Sequence, residues 1–162
     1  MKKREVLEKF SVSTKDDLYT TILVKNNSIC NFDNTYERHT PFGVAKNVET
    51  FKSYLNMLST EEIMRYRDNM DGNILHDMCD CDKGVEYFKI LMNRIGESNF
   101  KELIRLEDRS GMQPLVQISN LELFKYMFSF TRMNSRLLSQ LALNSRNRKI
   151  IEYLANLINL SK

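Results

Sequence analysis

The chain has 162 residues, 42% of them hydrophobic and 28% charged, with a formal net charge of +3. That length suffices for one compact domain or one short repeat array with a real core, and the charge is too small by itself to mark a nucleic-acid binder. Five glycines, two prolines and the lack of any apolar run near the roughly 18 residues of a spanning helix argue against Gly-rich linkers and a membrane segment.

The opening MKKREVLEKF carries charge where a secretory leader needs an apolar stretch, so secretion by that route is not expected. Three cysteines (Cys30, Cys79 and Cys81) suit a reducing compartment better than a disulfide framework. Asn26-Asn27-Ser28 fits the glycosylation pattern, which carries no weight without a leader. The expected location is the cytosol or the nucleus.

Residues 6–10, and residues 18–24 behind Thr14-Lys15-Asp16-Asp17, read as helical, so residues 1–35 form an N-terminal cap or a degenerate first unit. Thr40 is placed to cap a short helix that begins at Pro41, where the missing proline N–H costs nothing. A second helix follows, with Val48, Phe51, Leu55 and Leu58 on one face. Ser59 or Thr60, then Glu61-Glu62, starts another helical stretch through Tyr66. Residues 68–73 make a turn, and the next unit starts at Ile74-Leu75-His76, with Val85, Phe88, Ile90 and Leu91 on its second helix. Ser98 or Asn99 opens a further short stretch, and Arg109-Ser110-Gly111 turns into a third unit. A fourth has Leu138, Leu141 and Ala142 first, then a closing helix striped by Ile150, Ile151, Leu154, Leu157 and Ile158.

The units repeat. Residues 41–52 and 114–125 share Pro, Asn (47/120), Glu (49/122), Phe (51/124) and Lys (52/125). Val48-Glu49-Thr50-Phe51-Lys52 recurs as Val85-Glu86-Tyr87-Phe88-Lys89 and Leu121-Glu122-Leu123-Phe124-Lys125, at spacings of 37 and 36 residues. Glu62-Ile63-Met64-Arg65 with Asp68 recurs as Glu102-Leu103-Ile104-Arg105 with Asp108, 40 residues on. Two blocks in one order at nearly one spacing are the mark of a repeat architecture.

With Thr40-Pro41-Phe42 and Ala45, Leu75-His76, and Gly111 followed by Pro114-Leu115, the units resemble the ankyrin repeat, a turn followed by two antiparallel helices. The resemblance covers about residues 36–154. It departs from the family at Arg38 and Gly43, at Gln113 and Val116, and between Gly72 and Leu75, which is one residue short. It implies an all-α solenoid of about four units, near 38–71, 72–110, 111–134 and 135–162, with atypical terminal caps. Such divergence is similar to viral or bacterial ankyrin proteins that act in a host cell, including relatives of the NF-kappa-B inhibitors.

No catalytic constellation stands out: two histidines, no phosphate-cradling loop and no nucleophile elbow. Cys79, Cys81 and His76 could supply three zinc ligands, but the thiols of a Cys-x-Cys on one helix point apart, and in ankyrin units a histidine at this position holds the neighbouring turn. No metal or cofactor is expected. Met57, Met64, Met78, Met92 and Met127 fall on core faces, whereas Met70 and Met112 sit in turns. Acids gather between residues 68 and 86 and bases after residue 129, but no aromatics interleave with those bases, which disfavours nucleic acid.

The expected function is therefore non-enzymatic binding of another protein, with capture of a host factor as one version. The alternative is a regulatory or targeting subunit that positions a separate enzyme. The expected contacts are Arg38, His39, Asn69, Met70, Arg109 and Met112 in the turns, with Asp77 and Asp80 on a first helix.

Overall fold

The computed structural model describes residues 12–20, 22–25, 36–81, 83–143 and 148–160. A 3-10 turn at Asp16–Tyr19 leads to strand β1 (Ile22–Lys25), paired antiparallel with β2 (Tyr36–His39) so that Ile22 faces His39 and Lys25 faces Tyr36. Helices follow at α1 (Pro41–Val44), α2 (Val48–Asn56), α3 (Thr60–Arg65), α4 (Ile74–Asp80), α5 (Val85–Ile95) and α6 (Glu97–Arg105). A second 3-10 turn, Pro114–Gln117, precedes α7 (Leu121–Phe128), α8 (Ser135–Leu143) and α9 (Arg148–Leu160). The fold is helical in class, with the short ribbon as the exception among the described residues.

That ribbon corrects the helix expected over residues 18–24. The Ile22-Leu23-Val24 run is β-branched on both sides of Leu23, which favours extended backbone over a helix. Residues 6–10, the other part of the expected cap, lie outside the described residues.

The helices meet in two series. In one, α1 packs on α4, α4 on the 114–117 turn, and that turn on α8; in the other, α2 packs on α5, and α7 on α9. The repeated sequence block explains the second series. Phe51, Phe88 and Phe124 occupy the same position on α2, α5 and α7, and each is 0% exposed. Asn47 and Asn120 cap the first and third of these helices, accepting from the N–H of Thr50 at 2.9 Å and of Leu123 at 3.0 Å. The middle copy has Gly84 there instead, with no side chain to cap.

The block's glutamates and lysines stay on the surface. Glu49–Lys52 and Glu122–Lys125 are loose ion pairs at 3.8 and 3.6 Å, and exposed pairs of this kind add little stability. Each unit does touch the next through rings: Phe51 meets Tyr87 at 5.3 Å, Lys89 stands over Tyr126 at 5.8 Å, and Lys125 over Tyr153 at 5.3 Å.

Helix starts are set by local chemistry. Of the two expected starts for α3, Ser59 is the cap, and it closes a capping box with Glu62. Neither Ser98 nor Asn99 opens α6, because Gly96, at φ 89°, breaks the helix path and α6 restarts at Glu97. Thr40 does not cap α1 with its side chain, although Pro41 does begin that helix. Gly43 lets α1 approach α4, since a β-carbon there would stand 2.6 Å from Cys81 Sγ.

Met78 and Met127 are fully buried, and Met57, Met64 and Met92 pack partly buried against the core. In α8 the inward residues are Leu137 and Leu141, while Ala142 faces solvent. Ile150 and Leu154 bury the closing helix, with Ile151, Leu157 and Ile158 half-covered beside them. No helix among the described residues is long and apolar enough to cross a membrane.

Candidate functional site

Two turns with the same hydrogen-bond plan stand side by side. In the first, Asp68 Oδ1 accepts from the N–H groups of Met70 and Gly72, both at 2.8 Å, and the Asp68 N–H donates to Gly72 O. In the second, Asp108 Oδ1 accepts from the N–H of Ser110 at 2.9 Å and of Met112 at 3.1 Å, and the Asp108 N–H donates to Met112 O. A carboxylate that gathers the amides two and four residues on fixes a tight turn without help from neighbours.

The left-handed residue of each turn is the fourth: Asp71 at φ 62° and Gly111 at φ 82°. Gly72 is therefore not the counterpart of Gly111, and the apparent missing residue before Leu75 disappears. Asp71 adopts the left-handed region that short polar side chains tolerate. Gly72 answers a different demand, because a β-carbon there would stand 2.9 Å from Asp68 Oδ2.

Two contacts bind the turns together. The Arg109 N–H donates to Met70 O at 2.8 Å. His76, on α4, lies 2.8 Å from Met112 O through Nε2, while its Nδ1 accepts from the Asn73 N–H at 3.0 Å. With Nδ1 an acceptor, the neutral ring must carry its proton on Nε2 and donate it to Met112 O. Burial holds the His76 pKa below its ordinary value, against the opposing pull of the Met112 carbonyl. Asn73 adds a third tie, its Nδ2 donating to Leu103 O at 2.9 Å.

Between the turns and α4 lies a cleft of about 390 Å³, with Asn69, Met70, Asp77 and Asp80 among its lining residues. These are four of the eight expected contacts. Asn69 and Met70 are exposed, Met70 at 49%. Arg109 is exposed on the adjoining turn. Met112 is half-buried against the core, and its carbonyl is the atom that His76 reaches. Arg38 and His39 lie on β2 opposite Leu23 and Ile22, and their side chains are outside the described residues.

Asp77 also turns inward. It is 8% exposed and accepts from the Thr40 hydroxyl at 2.9 Å. Burial, reinforced by the Asp68 carboxylate, pushes its pKa well above the usual carboxyl range, while Thr40 and Tyr66 pull the other way. The Tyr66 hydroxyl, wholly enclosed near Asp77 and Thr40, closes no hydrogen bond of standard geometry.

Asp77→Asn should therefore raise the midpoint of thermal unfolding at pH 7, since an amide can accept from Thr40 and donate toward Asp68. A raised folded pKa means that stability is fully present below the unfolded value near 3.8 and is lost as pH rises toward the folded value. The gain from Asn should accordingly shrink as pH falls toward 4. Melting curves from pH 4 to 8 read this directly, and a pH-independent difference would refute it.

Sequence reasoning passed over Thr40, Asp68 and Asp108 as site residues. The alignment of Asp68 with Asp108 was available as a signal, whereas the tie from Thr40 to Asp77, 37 residues on, leaves no local trace. Among the described residues no group of three or more His, Cys, Asp or Glu could hold a metal ion. The basic C-terminal end is partly neutralised: Arg136 pairs with Glu107, and Arg148 with Glu152 at 3.2 Å. No family model, curated protein or solved structure matches this chain.

Proposed function

We propose that the chain is a non-enzymatic protein-binding module, a stack of ankyrin-type units that holds another protein along its line of turns. The observation that carries this reading is the backbone bond from Arg109 to Met70, which sets two like turns edge to edge. That bond leaves Asn69, Met70 and Arg109 exposed on one rim. An exposed methionine beside a cationic and an amide side chain gives an apolar anchor flanked by polar contacts, the usual makeup of a protein contact surface.

The test is affinity capture from cell lysate with the native chain and with Met70→Glu/Arg109→Glu. Met112 and Asp77 are left alone because both face inward. Native chain should retain a partner that the double variant, still helical by circular dichroism, binds at least about tenfold more weakly. Equal capture by both, or no capture above an unrelated control, would overturn the reading.

A further inference from the structure

A second cleft, of about 360 Å³, lies away from the turns, between α6 and the connector 129–134 that joins α7 to α8. Helix α6 gives it Lys101 and Arg105, four residues apart and so on one face. The connector gives Arg132 with Ser129, Thr131 and Asn134. No carboxylate lines the cleft.

The cations differ in how they are employed. Lys101 pairs with Glu97 at 2.8 Å, one turn back along α6. Arg105 and Arg132 have no ion-pair partner among the described residues. Elsewhere Arg65, Arg136 and Arg148 each meet a glutamate, and Arg94 donates to Thr60 Oγ1 and Leu58 O. Arg105 stands in the last turn of α6, where the helix dipole favours a cation. Arg132 sits on a connector and has no such reason. Three exposed cations thus line one cleft with no carboxylate among its lining residues.

The wall behind these groups is firm. Phe130 packs edge-on against Phe100 and Tyr126, both at 5.2 Å. The Ser129 hydroxyl donates to Tyr126 O at 2.6 Å, and Asn134 Oδ1 caps α8 by accepting from the Leu137 N–H at 2.8 Å. The connector is thus tied down at both ends, and Arg132 is presented from a fixed backbone.

We propose that this cleft binds a phosphate dianion, held by Arg105 and Arg132 with Lys101 completing the charge. Guanidinium forks arriving from two separate elements suit an anion whose oxygens point in several directions. A carboxylate, with two oxygens in one plane, meets forks from separate directions less fully than a tetrahedral anion. The residues are distinct from those of the turn rim, so this site and the protein-binding reading stand or fall separately.

The test is a nuclear magnetic resonance titration of the full chain at constant ionic strength, first with inorganic phosphate and then with O-phosphoserine. Amide signals of residues 129–134 should shift saturably, with Kd on the order of 1 mM. Arg105→Gln and Arg132→Gln should each weaken binding about tenfold, with Arg132→Gln leaving the melting temperature unchanged and Arg105→Gln lowering it by no more than the loss of its contact with the helix dipole. Equal affinity for both probes supports a site for the free anion; tighter O-phosphoserine supports one for a phosphorylated side chain. The proposal is overturned if acetate or chloride gives the same shifts, if no saturation appears, or if the double variant binds as well as the native chain. Tighter binding of an oligonucleotide lacking terminal phosphates would also overturn it, in favour of a general polyanion surface.

Discussion

Truncating Phe88 to alanine should destabilise the protein by about 3–5 kcal/mol, the largest single-site effect expected here. Phe88 is the central member of the Phe51, Phe88, Phe124 series and is 0% exposed. Its helix α5 touches α2, α3 and α6, so the void opens where three neighbours converge and cannot all close in. Small domains hold only about 5–15 kcal/mol in total, so the variant should sit near its unfolding threshold at room temperature. Urea denaturation followed by circular dichroism measures the loss. Lys89→Ala, one residue on at an exposed position, should cost no more than about 1 kcal/mol, the loss of its contact over the Tyr126 ring. A loss for Phe88→Ala no greater than that of Lys89→Ala would remove this residue from the core and the repeated block from its structural role.

His76→Ala should cost about 2–4 kcal/mol, by a different mechanism. It deletes the donor to Met112 O and the acceptor of the Asn73 N–H together, and it does so at a residue only 3% exposed. The Asn73 N–H is left without its acceptor, and Met112 O keeps only the Asp108 N–H, where two turns adjoin. The pH dependence separates this from a simple cavity. The folded pKa of His76 lies below the ordinary value of 6.5. Its contribution is therefore present in full above pH 6.5 and lost as pH falls through the lowered folded value. A charged ring would also turn an Nδ1–H against the Asn73 N–H. Native protein should lose stability as pH falls from 6.5 through that lowered value, while His76→Ala does not follow. Parallel pH curves for the two would sink the assignment.

What could be read from the sequence was what is local or repeated. The Phe51, Phe88, Phe124 positions follow from the repeat, and the helix starts near Ser59 and at Pro41 follow from signals within a few residues. The aligned Asn47 and Asn120 were visible as a repeat before their capping role was. The misreadings share a different cause. Gly72 was matched to Gly111 because glycine is the default left-handed residue, but an aspartate takes that conformation here and the glycine serves a close approach. Thr40 looked like a cap because its neighbour is proline, yet its hydroxyl finds a better acceptor on the next unit. Met112 looked exposed because turns usually are, and the core reaches it all the same. The exposure of Asn69, Met70 and Arg109 in the turns was legible. The inward bend of Asp77 depends on contacts that only folding creates.

The Arg109–Met70 link has a consequence for how such a surface can change over time. It joins one main-chain amide to one main-chain carbonyl. Any residue other than proline at position 109, and any residue at all at position 70, supplies the same atoms. The rim is thus spaced by groups that substitution barely touches, while the side chains of Asn69, Met70 and Arg109 answer to no partner among the described residues. A lineage could exchange those side chains one at a time, and alter the surface that the rim presents, without first having to rebuild the frame that holds it.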